Sequence, residues 1–458
     1  MHQLPRHSVP NPEHASKAPR LSIQYRPIRE LILDPKNVRL HSAKQVRQIA
    51  RSIQTFGFNV PILVDGNLYV IAGHGRIQAC QLLGLAEVPT INLEHLTDAQ
   101  IKAFMITDNR LTENAAWDER LLGEQLKILS EMDLDFDLEI TGFEMSEIDL
   151  FIEGLSPVDE AGSDSADELP HTNGKPMVTS EGDLWLLDRH RVGCRSALDL
   201  ESYPALMNQQ VADAVFTDPP YNVAIAGHAS GLGKVKHDDF IMASGEMTEA
   251  EFTQFLTQAC QLLAQNSKDG SLHFICMDWR HIGELLVAGK PAYCELKNIC
   301  VWAKDNAGMG SLYRSQHELV FVFKHGKNPH RNNIQLGSYG RYRSNVWHYP
   351  GANTFSRSRE EGNLLALHPT VKPVSLVADA ILDCTARGDI VLDPFLGSGT
   401  TLIAAERTGR TCYGLELDPS YVDTIVRRWQ AFTGQQAILE QSGKHFSEIE
   451  EEIQHETR

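Results

Sequence analysis

Apolar positions along this chain follow two rhythms, one near 3.6 residues and one of short continuous runs. Val46, Ile49, Ala50 and Ile53 recur at helical spacing behind a capping Ser42, which predicts a helix to about Thr55. Gly57-Phe58 ends it. Pro61-Ile62-Leu63-Val64 and Leu68-Tyr69-Val70-Ile71 flank Asp65-Gly66-Asn67, the pattern of a tight hairpin. Gly73-His74-Gly75-Arg76 then opens a second helix, a place where backbone N–H groups can hold an anion. Residues 97–156 read as helical, with Thr97-Asp98-Ala99-Gln100 as a capping signature and Leu121, Leu122, Leu126 and Leu129 on one face. Periodicity is lost over 157–180, where Asp, Ser, Gly and Pro gather, so a solvated acidic linker is expected there.

Beyond Gly182 strands and helices alternate. Short apolar runs at 184–187, 191–194, 211–216, 272–276, 297–303, 317–323, 389–393 and 411–415 are interleaved with helical spacing at 249–263, 373–385, 400–406 and 419–432. That alternation predicts an α/β fold with a mostly parallel sheet. The resulting division is a disordered 1–20, a small α+β domain at 21–95, a helical extension at 96–156 and the linker 157–180. An α/β domain follows at 181–433, then an acidic tail at 434–458.

Two turns inside the α/β domain carry candidate chemistry. Ala214-Val215-Phe216 runs into Thr217-Asp218-Pro219-Pro220-Tyr221-Asn222. Two prolines cannot continue a helix or a central strand, so the chain turns sharply at a strand's carboxyl end, where open α/β sheets bind ligands. A carboxylate (Asp218), a rigid carbonyl (Pro219, ahead of Pro220) and an aromatic face (Tyr221) suit the holding of a flat, amino-bearing ring. The second turn follows Ile390-Val391-Leu392-Asp393 and reads Pro394-Phe395-Leu396-Gly397-Ser398-Gly399-Thr400-Thr401. Gly397 and Gly399 let backbone pass close to a ligand. Glu416, at the end of the next strand, stands where a carboxylate accepts hydrogen bonds from ribose hydroxyls. There is no Gly-Lys-Ser/Thr and no G-x-G-x-x-G in that turn, so this is neither a Walker loop nor the dinucleotide fingerprint.

Composition modifies this picture in two ways. A net charge of −18 over 458 residues argues at face value against a polyanion partner. Its distribution argues otherwise, because residues 297–360 hold ten Lys and Arg against Asp305, Glu318 and Glu360, a local +7. The eight cysteines are scattered without C-x-x-C spacing and read as reduced core residues of a cytoplasmic protein, with no metal site. No run of about 18 apolar residues is present, so no membrane partner is expected.

The two turns together resemble the amino-group DNA methyltransferases. Their order, with D-P-P-Y ahead of D-P-F-x-G-S-G-T-T and a basic segment between, matches the permuted β group. Further matches are His237-Asp238-Asp239-Phe240, Val301-Trp302-Ala303-Lys304, Tyr313-Arg314-Ser315-Gln316-His317-Glu318, Asn345-Val346-Trp347 and His368-Pro369-Thr370-Val371-Lys372-Pro373. The resemblance implies a Rossmann-like domain with permuted motif order that uses S-adenosylmethionine and acts on double-stranded DNA, with a second copy of the chain as an option. It implies that Asp218, Pro219, Pro220 and Tyr221 are catalytic. Asp393, Phe395, Gly397, Ser398, Gly399, Thr400, Glu416, Asp418 and Lys372 would bind the cofactor, Phe395 having a core role as its alternative. Arg314, Arg331, Arg341, Arg343 and Arg357 would contact DNA. Adenine N6 is the first choice because the turn begins with Asp, where cytosine-N4 enzymes of the group more often carry Ser.

Residues 23–91 resemble the ParB/sulfiredoxin N-terminal domain through Phe56-Gly57, Ala72-Gly73-His74-Gly75-Arg76 and Leu83-Gly84-Leu85-Ala86-Glu87-Val88-Pro89. In that family a G-E-R-R box binds a nucleoside triphosphate. Here only Gly73 and Arg76 match, which counts against nucleotide binding. The rival reading is a ParB-like DNA-binding partition or regulatory protein whose methyltransferase domain is inert. The intact Asp218, Tyr221, Gly397 and Glu416 speak against inertness.

Overall fold

The computed structural model describes residues 20–35, 39–132, 134–155, 164–170, 175–222, 245–305, 307, 312–338, 340–351 and 372–456. Residues 1–19, His237-Asp238-Asp239-Phe240, Arg357 and His368-Pro369-Thr370-Val371 lie outside these residues. The chain divides into two units, Met1–Phe143 and Glu144–Arg458.

The first unit is built on a four-stranded sheet of β1 (Ile23–Pro27), β4 (Glu87–Asn92), β2 (Ile62–Val64) and β3 (Val70–Ala72), in that order. Ser42 caps the helix Ala43–Phe56 by accepting the Gln45 N–H, and Gly57, at a φ of 82°, ends it. The hairpin turn is closed by Asp65, whose carboxylate accepts the Asn67 and Tyr69 N–H groups. Thr97 and Gln100 form the reciprocal capping box at the start of the helix Asp98–Glu113. Ile62, Val64, Val70, Ile77, Cys80 and Val88 make the core.

The second unit is a ten-stranded sheet. Its first five strands are β5 (Leu184–Leu187), β6 (His190–Cys194), β7 (Ala212–Thr217), β8 (Ser267–Met277) and β9 (Glu295–Ala303). They are followed by β10 (His317–Lys324), β11 (Val346–His348), β12 (Ile390–Asp393), β13 (Thr411–Glu416) and β14 (Ile438–Leu439). The spatial order is β11-β9-β10-β8-β7-β12-β13-β6-β5-β14. The centre, β8-β7-β12-β13-β6, is parallel. Such strands are covered on both faces and read as continuous apolar runs, which is why they were legible in the sequence. Antiparallel β10 sits between β8 and β9, so its amino end lies at the same edge as the carboxyl ends of β8 and β9.

Three segments differ from expectation. The helix Met145–Glu153 belongs to the second unit: Asp149 makes an ion pair of 2.8 Å with Arg410, and the two side chains are 1% and 0% exposed. Part of the expected linker is fastened to the second unit, since Asp423 accepts the N–H groups of Val178 and Thr179. The acidic tail is also structured. Phe446 is buried and lies 5.1 Å from the Trp185 ring, which anchors the helix Phe446–Glu456. Its acidic residues mark one solvated face of an amphipathic helix, while Ile449 and Ile453 pack on the core. All eight cysteines are free and all but Cys294 are buried. Among the described residues no helix is long and apolar enough to cross a membrane.

Candidate active site

The two turns lie side by side. β7 and β12 are neighbouring parallel strands in the register Ala214↔Val391 and Val215↔Leu392, so Asp218 and the glycine turn leave the sheet at the same edge. Asp393 ties them together. Its Oδ1 accepts the Thr217 hydroxyl at 2.8 Å and the Phe395 N–H at 3.1 Å, and its Oδ2 accepts the Thr401 hydroxyl at 2.6 Å. All three bonds are internal and the residue is buried, so Asp393 braces the two turns against each other. Burial pushes its carboxyl up to about 6, against those three donors.

Around Asp218 stands a four-charge cluster. Lys372 Nζ donates to Asp218 Oδ2 at 2.5 Å, to Glu318 Oε2 at 3.0 Å and to the Tyr221 hydroxyl oxygen at 3.2 Å. The Tyr221 hydroxyl donates to Asp218 Oδ1, and Lys304 pairs with the other Glu318 oxygen. The Trp302 ring lies 4.4 Å from Lys304 Nζ and 5.8 Å from Lys372 Nζ, and Lys372 is 5.5 Å from the Tyr221 ring. Two carboxylates and two ammonium groups balance, which is how such a group can be buried. Burial pushes the Asp218 carboxyl above its ordinary value, against the pull of Lys372. At Glu318 burial pushes the same way, but Lys372 and Lys304 outweigh it and bring the carboxyl down to about 2. Lys372 stays protonated, because Asp218 and Glu318 together overcome the burial that would neutralise it.

The second turn forms a cradle. Gly397 and Gly399 have φ of 54° and 84°, which glycine adopts without strain. Glu416 Oε2 accepts the Gly397 N–H at 2.8 Å and its Oε1 accepts the Asp418 N–H at 3.0 Å. Burial pushes the Glu416 carboxyl up to about 7 in spite of these donors. Its remaining lone pairs can accept two further hydroxyls. Asp418 caps the helix Pro419–Thr433 by accepting the Ser420 N–H. Phe395 is half-buried, with its ring 5.8 Å from Phe255. The Ser398 carbonyl accepts from Arg428 at 2.9 Å.

Several sequence-predicted residues stand elsewhere than expected. Lys372 sits on the Asp218 carboxylate, and its carbonyl lies 3.4 Å from the Thr400 hydroxyl of the glycine turn. Arg341 is buried, and Arg343 beside it is mostly so. Arg341 donates to Asp379 and Asp383 at 3.0 Å each, and Arg343 donates to the same two carboxylates and to the Tyr349 hydroxyl. Asp379 and Asp383 stand one helical turn apart at the end of the helix Val374–Leu382, so both guanidinium groups are committed inside the protein and neither is offered to phosphate. Arg341→Ala is therefore expected to cost about 3 kcal/mol of stability, read by denaturation, because it leaves buried Asp383 undercompensated. The salt dependence of DNA binding should keep its wild-type slope. Arg314 and Arg331 are exposed.

Three site residues had not been assigned from the sequence: Glu318, Lys304 and Trp302. Each falls within a stretch quoted above as a family match, Val301-Trp302-Ala303-Lys304 or Tyr313 to Glu318. The register Trp302↔Glu318 brings them to the edge beside Asp218. In the first unit, Arg76 donates to the Val60 and Pro61 carbonyls, the latter at 3.0 Å, which spends part of its fork on backbone. His74 is buried with no partner for Nε2 among the described residues. Among the described residues no group of three or more His, Cys, Asp or Glu is placed to hold a metal ion.

Comparison with known proteins finds three matched segments, of which the middle one crosses the division between the two units. Residues 212–427 match the DNA methylase family of the N6/N4 group, 120–181 the ParB-methyltransferase HTH domain, and 13–110 the ParB N-terminal domain. The type II methyltransferase M2.MboI of Moraxella bovis is 28% identical over 235 residues, covering 48% of this chain and 81% of that protein. The ParB-like nuclease domain-containing protein YnaK of Escherichia coli (strain K12) is 46% identical over 81 residues, covering 18% of this chain and 93% of that protein. Among solved structures, the PvuII DNA methyltransferase (cytosine-N4-specific) aligns over 56% of this chain and 89% of its own, at 18% identity and a TM-score of 0.40.

Proposed function

We propose that this chain, which belongs to the N6/N4 DNA methylases and carries a ParB N-terminal domain ahead of the methylase, methylates the exocyclic N6 of adenine in duplex DNA with S-adenosylmethionine as donor. The observation that carries the reading is the pairing of β7 with β12. It sets a carboxylate and a proline carbonyl beside a glycine cradle, with Asp393 bridging the two turns. The residues present fit the cofactor: the Gly397–Gly399 backbone leaves room for close approach, and Glu416 offers lone pairs at the position that suits ribose hydroxyls.

When bound, S-adenosylmethionine supplies an electrophilic methyl group on a sulfonium centre. The protein's task is to make an amino nitrogen attack it. That nitrogen is a poor nucleophile because its lone pair is delocalised into the ring. Asp218 accepts one N–H and the Pro219 carbonyl accepts the other, which favours a more pyramidal nitrogen. Lys372 fixes the Asp218 carboxylate in place and Glu318 fixes Lys372. The target base has to leave the duplex, at a cost of a few kcal/mol. Stacking on the Tyr221 ring offsets roughly 1–3 kcal/mol of that. Basic residues of the 297–360 segment position the duplex through its phosphates.

The test is transfer of labelled methyl from S-adenosylmethionine to DNA, followed by digestion to nucleosides. N6-methyladenine supports the proposal. N4-methylcytosine moves the target to cytosine, and no labelled base overturns the assignment.

Glu416 gives a second measurement. Glu416→Ala is expected to weaken cofactor binding about 10- to 100-fold in calorimetry while DNA affinity changes little. A larger effect on DNA would remove Glu416 from the ribose role. The ionised carboxylate is the better acceptor, so wild-type cofactor affinity should rise as pH increases through about 7. Glu416→Gln should flatten that rise.

A further inference from the structure

A short segment ahead of the methylase strands reaches both halves of the site. Asp164 opens it by accepting the Ala166 N–H at 3.1 Å and pairing with Arg407. Ala166 is buried in the core and its carbonyl accepts from Arg428 Nη2 at 2.8 Å. Asp167, also buried, accepts the Val374 N–H at 2.7 Å. Val374 is the first residue of the helix Val374–Leu382, and Pro373 before it provides no side-chain cap. Asp167 therefore caps that helix from another part of the chain. A carboxylate at a helix N-terminus is favoured by both the free N–H groups and the helix dipole. Lys372, the partner of Asp218, stands two residues ahead.

The same segment meets the cofactor cradle through Arg428. This guanidinium is 3% exposed and spends its donors on uncharged partners: the Ser398 carbonyl at 2.9 Å, the Thr400 hydroxyl at 3.5 Å and the Ala166 carbonyl. Burial pulls it down to about 10, and the countercharges that work against this are Asp167 and Asp164. A buried cation needs such compensation. Thr400, in turn, reaches the Lys372 carbonyl at 3.4 Å. Ala166 and Asp167 thus close a loop that runs from the glycine turn through Arg428 to the backbone that carries Lys372.

We propose that Asp164–Asp167 is a positioning strap for methyl transfer, in which Asp167 holds the Val374 N–H two residues beyond Lys372 and the Ala166 carbonyl holds Arg428, so that the cradle and Asp218 keep their spacing. This rests on the methyl-transfer reading above. The strap belongs to a stretch whose composition suggested a solvated linker, and it lies within the residues matched by the ParB-methyltransferase HTH domain.

The test uses the full chain with Asp167→Ala, Asp167→Asn and Asp167→Glu. Asp167→Ala is expected to lower kcat about tenfold and to weaken S-adenosylmethionine binding in calorimetry severalfold, with DNA affinity unchanged. Asp167→Asn keeps an acceptor for the Val374 N–H and removes the charge. It should retain most of kcat while losing cofactor affinity, and Asp167→Glu should restore part of both. If Asp167→Ala does not fold, the near-isosteric Asp167→Asn carries the test. A variant that melts at lower temperature but has wild-type kcat per folded molecule and wild-type cofactor affinity overturns the strap. Calorimetry with S-adenosylmethionine reads the strap even if the wild-type chain methylates no DNA. That second outcome would remove the methyl-transfer reading and leave the strap to stand or fall on binding alone.

Discussion

Asp218→Ala is expected to lower methyl transfer by roughly 10³-fold or more, within the range that a positioned acid–base side chain contributes. S-adenosylmethionine binding should persist. The reasoning is geometric. Asp218 stands just beyond the end of β7, and its neighbours in the cluster are Tyr221 and Lys372, neither of which can accept a hydrogen bond from the target as a carboxylate can. Glu318 does not replace it, because Lys372 and Lys304 hold it on β10, away from the turn in which Asp218 adjoins the Pro219 carbonyl. The cradle is built from β12 and β13 and does not depend on Asp218, so cofactor affinity and rate should separate. Wild-type turnover in this variant would remove Asp218 from the mechanism. Equal loss of rate and cofactor binding would show that Asp218 also supports the cradle.

Lys372→Ala is expected to have the second largest effect, a fall of about 10²-fold at neutral pH and a displacement of the acid limb of the rate profile. The sign follows from the forces on Asp218. Burial raises its pKa and Lys372 lowers it. Removing the ammonium leaves burial and the nearby Glu318 carboxylate, and both favour the neutral acid. At a given pH a larger share of Asp218 would then be protonated, so the limb moves to higher pH. Lys372→Arg keeps the charge and should hold the limb near its wild-type position with a smaller loss of rate. A profile in Lys372→Ala that keeps its acid limb, or moves it to lower pH, would sink this account. A role for Lys372 in cofactor affinity alone would leave the limb where it is.

Local signals carried far in this chain. Ser42, Thr97 and Asp65 act on N–H groups within four residues of themselves, so the caps and the hairpin could be read from sequence. The order of apolar runs gave the parallel centre of the sheet, and the two turns were recognisable because their proline and glycine chemistry is written in consecutive residues. The arginines were less legible. Counting charge in 297–360 treats each guanidinium as a surface group. Arg341 and Arg343 instead meet Asp379 and Asp383, whose four-residue spacing places both carboxylates together on one side of a helix end. A charge count holds no information about such a partner some forty residues away.

The sequence by itself determined that two strand-end turns exist, one offering a carboxylate and an aromatic ring, the other a glycine cradle with an acid after it. It also determined the family to which they point. Tertiary structure alone decided that Asp218 shares its charge with Lys372, Glu318 and Lys304, brought in from three other stretches of chain. It likewise made Asp393 a brace and turned Asp167 inward from an apparent linker. The physical reason is that backbone conformation answers to neighbours in sequence. A buried charge answers to whichever opposite charge the sheet register sets against it.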